Sequence, residues 1–364
     1  MTGRRVMVRT LLAVLLLLAL LIAALAWRMF APISTPAFRG PDGKVLAGSI
    51  AVVERWPVGG VEQSVIIRGR DRANPILLFV HGGPGSSETA PLRRFNAALE
   101  DRFVVVYWDQ RYAGQSYDST LAVPADLTIR QYVDDLGVVI DRLRARFGRQ
   151  RVGILAHSWG TVLGILYAEE SPEKLYAYVG VGQVANVPES EKRSYAWVLR
   201  EAKARGADKA VRELEQLGPP PRPGPIFTPR DQIAAFGGSL RGDMSVTRMI
   251  GESLGEPEMN GRDVVAYFSA GKYSEGMLHG EFTQFVIDDR PRDYSMPIFL
   301  VSGRYDRQSE ASVARDFYNR VMAPKKAFVW FEQSAHSPMF EEPQAFNAWV
   351  SDTIAPLGER AASR

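Results

Sequence analysis

The chain has no cysteine and only four histidines among 364 residues. The first absence excludes disulfides and thiolate metal sites. The second confines any histidine base to His81, His157, His279 or His336. Residues 1–26 hold no acid, and their arginines, Arg4, Arg5 and Arg9, account for the whole net charge of +3. The rest of the chain is balanced, so its charge gives no sign of a nucleic-acid surface. No internal repeat occurs. A content of 46% hydrophobic and 23% charged residues suits a globular protein with a large core, in one big domain or a domain with an insert.

Long apolar runs are absent except at the N-terminus, where Leu11–Trp27 carries no polar residue. That length is short for a membrane span and long for the core of a signal peptide. Two readings stay open for residues 1–30: a retained single-pass anchor, or a signal peptide cleaved after Ala24-Leu25-Ala26. In both, the arginines stay cytoplasmic and the remaining chain lies outside.

Residues 31–44, rich in Pro and Gly, read as a linker. Strands are predicted near Ser49–Glu54 and Glu62–Arg68, joined by a Pro-Gly-Gly turn, and at Pro75–Val80, whose continuous apolar run marks an inner parallel strand. A helix near Pro91–Leu99 and a strand at Phe103–Trp108 follow. Thr128 and Gln131 form an expected capping box ahead of a helix with Ile129, Tyr132, Val133, Leu136, Val139, Ile140 and Leu143 on one face. Further strands are expected at Val152–Ala156 and Tyr176–Val181. This alternation signals an α/β fold, a mostly parallel sheet covered by helices on both faces. Residues 45–182 form its first part. Residues 183–292 break the pattern: mostly helical and polar, with a turn-rich piece at Gly218–Pro225 and no alternating strand, they read as a helical cap over the sheet's C-terminal edge. Residues 293–364 resume it, with strands at Pro297–Ser302 and Ala327–Phe331 and helices at Ala311–Val321 and Glu342–Ile354.

The turn Ala156-His157-Ser158-Trp159-Gly160 stands between a buried strand and a helix, where a serine hydroxyl is projected above a sheet and small neighbours are required. A serine nucleophile needs an adjacent base oriented by a third group, and on such a sheet the order is Ser, acid, His. His81 belongs to a glycine loop, His157 adjoins the serine and is expected in the packing of the turn, and His279 lies in the cap. His336, after a late strand, is therefore the candidate base. Asp306 follows the preceding strand and is the candidate acid, with Glu310 as fallback. The backbone N–H groups of Trp159 and of Gly83, in the loop after the third strand, are the candidate oxyanion donors. This chemistry calls for no cofactor and no metal.

Taken together, His81-Gly-Gly-Pro-Gly-Ser-Ser, Trp108-Asp-Gln-Arg, His157-Ser-Trp-Gly, Gly303-Arg-Tyr-Asp and Ala335-His-Ser resemble the proline iminopeptidase group of α/β-hydrolases over about residues 45–182 and 292–356. The resemblance implies an α/β-hydrolase fold with a helical cap, a Ser158-Asp306-His336 triad, and release of an N-terminal residue, typically proline, from small peptides. In that family cap glutamates hold the substrate's ammonium. Their settings have no match here, and Glu252, Glu275 and Glu281 are candidates for the role or solvated surface residues. Two other functions remain open: an esterase or amidase on small acyl substrates, and a binding protein on a hydrolase scaffold.

Overall fold

The computed structural model describes residues 2–118, 127–222, 227–287 and 292–362. Within them, the side chains of residues 2–6, 268, 270–279 and 362 lie outside the description. Pro223 and Pro225 of the turn-rich piece fall beyond the described residues, as do the side chains of Phe268, Glu275 and His279.

Helix α1 (Thr2–Phe30) projects from the body. Its stretch Met7–Phe30 has a mean hydropathy of 2.8 and is unburied. The body is built on β1 (Ile50–Val58), β2 (Val61–Gly69), β3 (Ile76–Val80), α2 (Thr89–Asn96), β4 (Val104–Trp108), α3 (Ile129–Phe147), β5 (Val152–His157), α4 (Trp159–Glu170) and β6 (Leu175–Val181). Helices α5 (Val187–Ala204), α6 (Asp208–Leu217), α7 (Arg230–Ala235), α8 (Val246–Ser253) and α9 (Gly261–Thr283) come next. The chain closes with β7 (Arg292–Asp293), β8 (Ile298–Gly303), α10 (Ala311–Arg320), β9 (Val321–Met322), β10 (Lys326–Phe331), α11 (Pro338–Glu341), α12 (Pro343–Thr353) and α13 (Ala355–Ala362).

Eight strands form one sheet in the order β1-β2-β4-β3-β5-β6-β8-β10. From β4 to β10 every pairing is parallel; β2 is antiparallel to both of its neighbours. Every residue of β3, β4, β5, β6 and β8 is buried, which explains why apolar residues dominate them. Strand β3 shows how the two faces are shared. Ile76, Leu78 and Val80 join a cluster with α3 and α4, while Leu77 and Phe79 join one with α2 and α12. A third cluster, including Tyr195, Val198, Leu214 and Ile233, lies among α5, α6 and α7.

Three expectations are corrected. Strand β1 runs on through Pro57, which pairs with Glu62, and Gly59-Gly60 alone makes the turn. A proline is tolerated there because β1 is an edge strand. The capping box is half formed. Thr128 Oγ1 accepts from Gln131 N at 3.3 Å, but the Gln131 amide donates to Asp135 Oδ1 at 3.2 Å instead of turning back. Residues 31–44, read as a linker, are tied to the body at their start: Asn260 Nδ2 donates to Ala31 O (2.9 Å), Ser34 N to Pro257 O (2.9 Å) and Thr35 Oγ1 to Glu258 Oε1 (2.6 Å), while Arg28 Nη1 at the end of α1 donates to Met259 O (2.8 Å). Residues 187–283 carry helices α5 to α9, with one isolated bridge between Asn186 and Val286, and β7 pairs with β9 at the boundary.

Candidate active site

Strand β4 follows β3 on one side and β5 returns on the other, so the chain diverges at the carboxyl ends of β3 and β5, where open α/β sheets build their sites. Ser158 sits directly after β5 with φ 49° and ψ −119°, a backbone conformation costly for any residue with a side chain. The turn is held by Ser158 N donating to Val181 O at 2.9 Å. It is also held by contact: a Cβ on Gly160 would lie 2.1 Å from Val80 O. Ala156, at the other small position, is fully buried.

Trp159 is buried, its ring edge-on to Tyr132 and Phe282. Its indole N–H donates to Gln110 Oε1 at 3.0 Å. Gln110 in turn donates its side-chain amide to His81 O (2.8 Å) and its backbone N–H to His81 Nε2 (3.0 Å). The Trp-Asp-Gln-Arg motif thus ties the glycine loop to the serine turn. Asp109 accepts from Ser87 Oγ (2.5 Å), Thr89 Oγ1 (2.7 Å) and Gln115 N (2.9 Å), while Arg111 forks onto Asp135 at 2.7 and 2.8 Å. His81 is the neutral tautomer that donates from Nδ1 to Gly82 O, at 2.7 Å. Burial lowers its pKa, with Asp109 opposing. Gly83 has φ 115°, and a Cβ there would lie 2.8 Å from Gly85 N, so the loop requires glycine.

Asp306 and His336 meet. Asp306 Oδ2 lies 3.0 Å from His336 Nδ1, and Oδ1 accepts from Gln308 N (2.9 Å) and Ser309 N (3.0 Å). Burial pushes the Asp306 carboxyl up, but the His336 imidazole and the two backbone donors together outweigh it, and the pKa falls below the ordinary value. His336 Nε2 is buried without a hydrogen-bond partner. Gly182 leaves room for the ring, since its Cβ would stand 2.9 Å from His336 Cε1. Glu310, the fallback acid, faces elsewhere and accepts from Arg307 Nη1 (2.9 Å) and Ser312 Oγ (2.8 Å).

Ser158, Gly83 and His336 line one cavity of about 250 Å³, walled by Met249 of α8 and Tyr267 of α9. A second lobe of about 150 Å³ starts at the same Gly83 and Ser158 and runs past Val184, Val187, Phe227 and Phe282. The glutamates singled out in the sequence are not gathered here. Glu252 lines a separate groove between Arg94 (3.2 Å) and Arg248 (2.7 Å). Glu281 is exposed and accepts from Ile129 N at 2.8 Å, at the start of α3. The described carboxylates at the two lobes are Glu88 and Glu191, both missed in the sequence and both paired. Glu88 meets His157 Nδ1 at 2.7 Å, and Glu191 meets Arg230 Nη2 at 2.6 Å. His157 is buried in the packing of the turn, where it is held by Glu88, and it also lines the cavity. Glu88 follows the glycine loop closely, and nothing in its spacing set it apart. No cluster of metal-ligating side chains occurs among the described residues.

A parallel sheet with a strained serine turn at its switch point, a glycine loop beside it and an Asp–His pair across the cleft defines a hydrolase of the α/β class. The chain belongs to the alpha/beta hydrolase family, whose sequence model matches residues 77–349. It is 29% identical to the probable aminopeptidase YbaC of Bacillus subtilis (strain 168) over 304 residues, covering 82% of this chain and 94% of that protein. It is 26% identical to the proline iminopeptidase of Heyndrickxia coagulans over 290 residues, covering 76% and 90%. The crystal structure of the proline iminopeptidase from Mycobacterium smegmatis superposes with a TM-score of 0.61 at 21% identity, covering 85% of this chain and all of that one.

Proposed function

We propose that the protein is a serine hydrolase that releases an N-terminal residue from small peptides through an acyl-enzyme. Ser158 Oγ attacks the scissile carbonyl and His336 Nε2 takes its proton. Asp306 holds the imidazole in the tautomer with Nδ1–H and stabilises the imidazolium. The backbone N–H groups of Gly83 and Trp159 receive the oxyanion. His336 then protonates the leaving amine, and water enters by the reverse route. The observation that carries this reading is the 3.0 Å Asp306–His336 contact, whose outer nitrogen is unpartnered in the cavity that Ser158 lines. Relatives named as aminopeptidases and proline iminopeptidases support the peptide substrate. Residues 183–292 act as the cap, since α8 and α9 wall the cavity.

A second reading, an esterase or amidase on neutral acyl substrates, is favoured by one observation. The described carboxylates at the two lobes are already engaged, Glu88 by His157 and Glu191 by Arg230, and a buried ammonium needs a carboxylate of its own. A fluorophosphonate probe tests the activated serine, and a panel of aminoacyl-arylamides and p-nitrophenyl esters separates the substrates. Helix α1 is read as a membrane anchor or a signal peptide that delivers the catalytic body outside the cytoplasm; its apolar stretch and the arginines before it support this.

A further inference from the structure

His157, one residue before the serine, has two acceptors at its two nitrogens. Nδ1 lies 2.7 Å from Glu88 Oε1, and Nε2 lies 3.2 Å from the backbone carbonyl of His336. Ser337 Oγ stands farther from Nε2, at 3.5 Å. A carboxylate and a carbonyl both need a donor, so the ring form that serves both is the imidazolium. The other oxygen of Glu88 accepts from Gly82 N at 2.8 Å. One buried ion pair therefore touches three loops: the glycine loop after β3, the serine turn after β5 and the base loop after β10. The last of these strands is separated from β5 by β6 and β8, so no ladder bond joins its loop to the other two. The contact is close, since a Cβ on Gly82 would lie 3.2 Å from His157 Nδ1 and 3.4 Å from Ser158 Cβ.

We infer that Glu88 and the His157 imidazolium are a positioning pair that sets the glycine loop, Ser158 and His336 in register for the reaction. The inference rests on the Ser158-Asp306-His336 reading. The charged and titratable groups facing His157 are Glu88 and, more distantly, Asp306, which favour its cation, and His81, which stays neutral between Gly82 O and Gln110 N. The His336 ring lies 4.8 Å away, in its own pair with Asp306. Two carboxylate–imidazole pairs thus stand side by side, and Glu88 offsets the charge that His157 would otherwise present to the imidazolium formed on His336 during turnover. Loss of the His157 proton turns a lone pair toward the His336 carbonyl and pushes the base loop away. Burial opposes the cation, but Glu88 outweighs it, so His157 titrates above its ordinary value and the loss comes on the alkaline side.

The test is the pH dependence of kcat on the full-length protein with an activated ester. The wild type shows an alkaline limb. His157→Gln and Glu88→Gln remove that limb and lower kcat about 10- to 100-fold with KM little changed, the size expected of misplaced reacting groups. Probe labelling of Ser158 slows to match. A filler of space would lower thermal stability and leave the limb intact, so an unchanged limb in folded His157→Gln overturns the inference. Should neither variant fold, ¹⁵N-histidine NMR of the wild type decides. One imidazole that keeps both protons above the ordinary histidine value is expected, and the absence of such a ring would overturn the inference. Ser158→Ala keeps the two failures apart: persistent labelling there overturns the triad, whereas labelling lost there with the limb unmoved in His157→Gln overturns only the positioning pair.

Discussion

The carbonyl oxygen of Val80 occupies the space that a side chain on Gly160 would need, 2.1 Å from the position of its Cβ. The strand that ends in the glycine loop and the helix that starts behind Ser158 are therefore in backbone contact. Gly160→Ala must part them or distort the turn, and overpacking of this kind costs about 1–3 kcal/mol or more. The expected outcome is a lower melting temperature together with loss of fluorophosphonate labelling. Full labelling at an unchanged melting temperature would contradict the contact.

Ser158→Ala should abolish turnover and labelling while the protein stays folded, because one oxygen is removed at a turn already built. His336→Ala should be nearly as damaging, since such residues act as a unit. Asp306→Asn should lower kcat roughly 10⁴-fold by removing the acceptor that selects the imidazole tautomer. Steady-state kinetics on the three variants check this, and a harmless Asp306→Asn would unseat the acid assignment.

Asp263 gives a pH test of stability. Burial lifts its carboxyl from the ordinary 3.8 to about 6, although Oδ2 accepts from Asn260 N (2.8 Å) and Gln115 Nε2 (2.6 Å). Because the folded value is raised, its contribution is full below about 3.8 and is lost as pH rises through 6, a change of about 3 kcal/mol by pH 8. Asp263→Asn keeps an acceptor oxygen and discards the buried charge. Denaturant titrations should find this variant more stable than wild type at pH 8, with the gap closing by pH 4. A gap independent of pH would refute the argument.

The reading of α1 as an anchor or a signal peptide has its own test. A reporter active only in the cytoplasm, fused after Arg364, should stay silent, and a bright one would reverse the orientation. N-terminal sequencing separates a cleaved peptide, with a new terminus at Trp27, from an anchor that keeps Met1 or Thr2.

Acetylating the amine of an aminoacyl-arylamide should remove most of the activity if the cleft reads an ammonium, because the carboxylate that receives it would be left buried and unpaired. Glu275→Gln is then the first variant to compare on free and blocked substrates, given that Glu252 and Glu281 face elsewhere. Equal rates on both substrates would leave the esterase or amidase reading standing.

The sequence alone determined the inner strands, because a parallel sheet buried on both faces demands unbroken apolar runs such as Ile76–Val80 and Val104–Trp108. It also singled out the candidate serine and base and narrowed the acid to Asp306 with Glu310 as fallback, because each must follow a strand and their chain order is set by the sheet. What only the tertiary structure decided is where side chains between distant segments point. Glu88 and His157 are 69 positions apart, and His157 and the His336 carbonyl are 179 apart; they meet only because β3 pairs with β5 and the last loop folds back over both. Glu252 faces two arginines instead of the cleft because α8 turns its Met249 side to the cavity. The segment after α1 looked like a spacer because proline and glycine suppress local structure, whereas its order comes from hydrogen bonds to residues 257–260, more than 200 positions away, which no local pattern encodes.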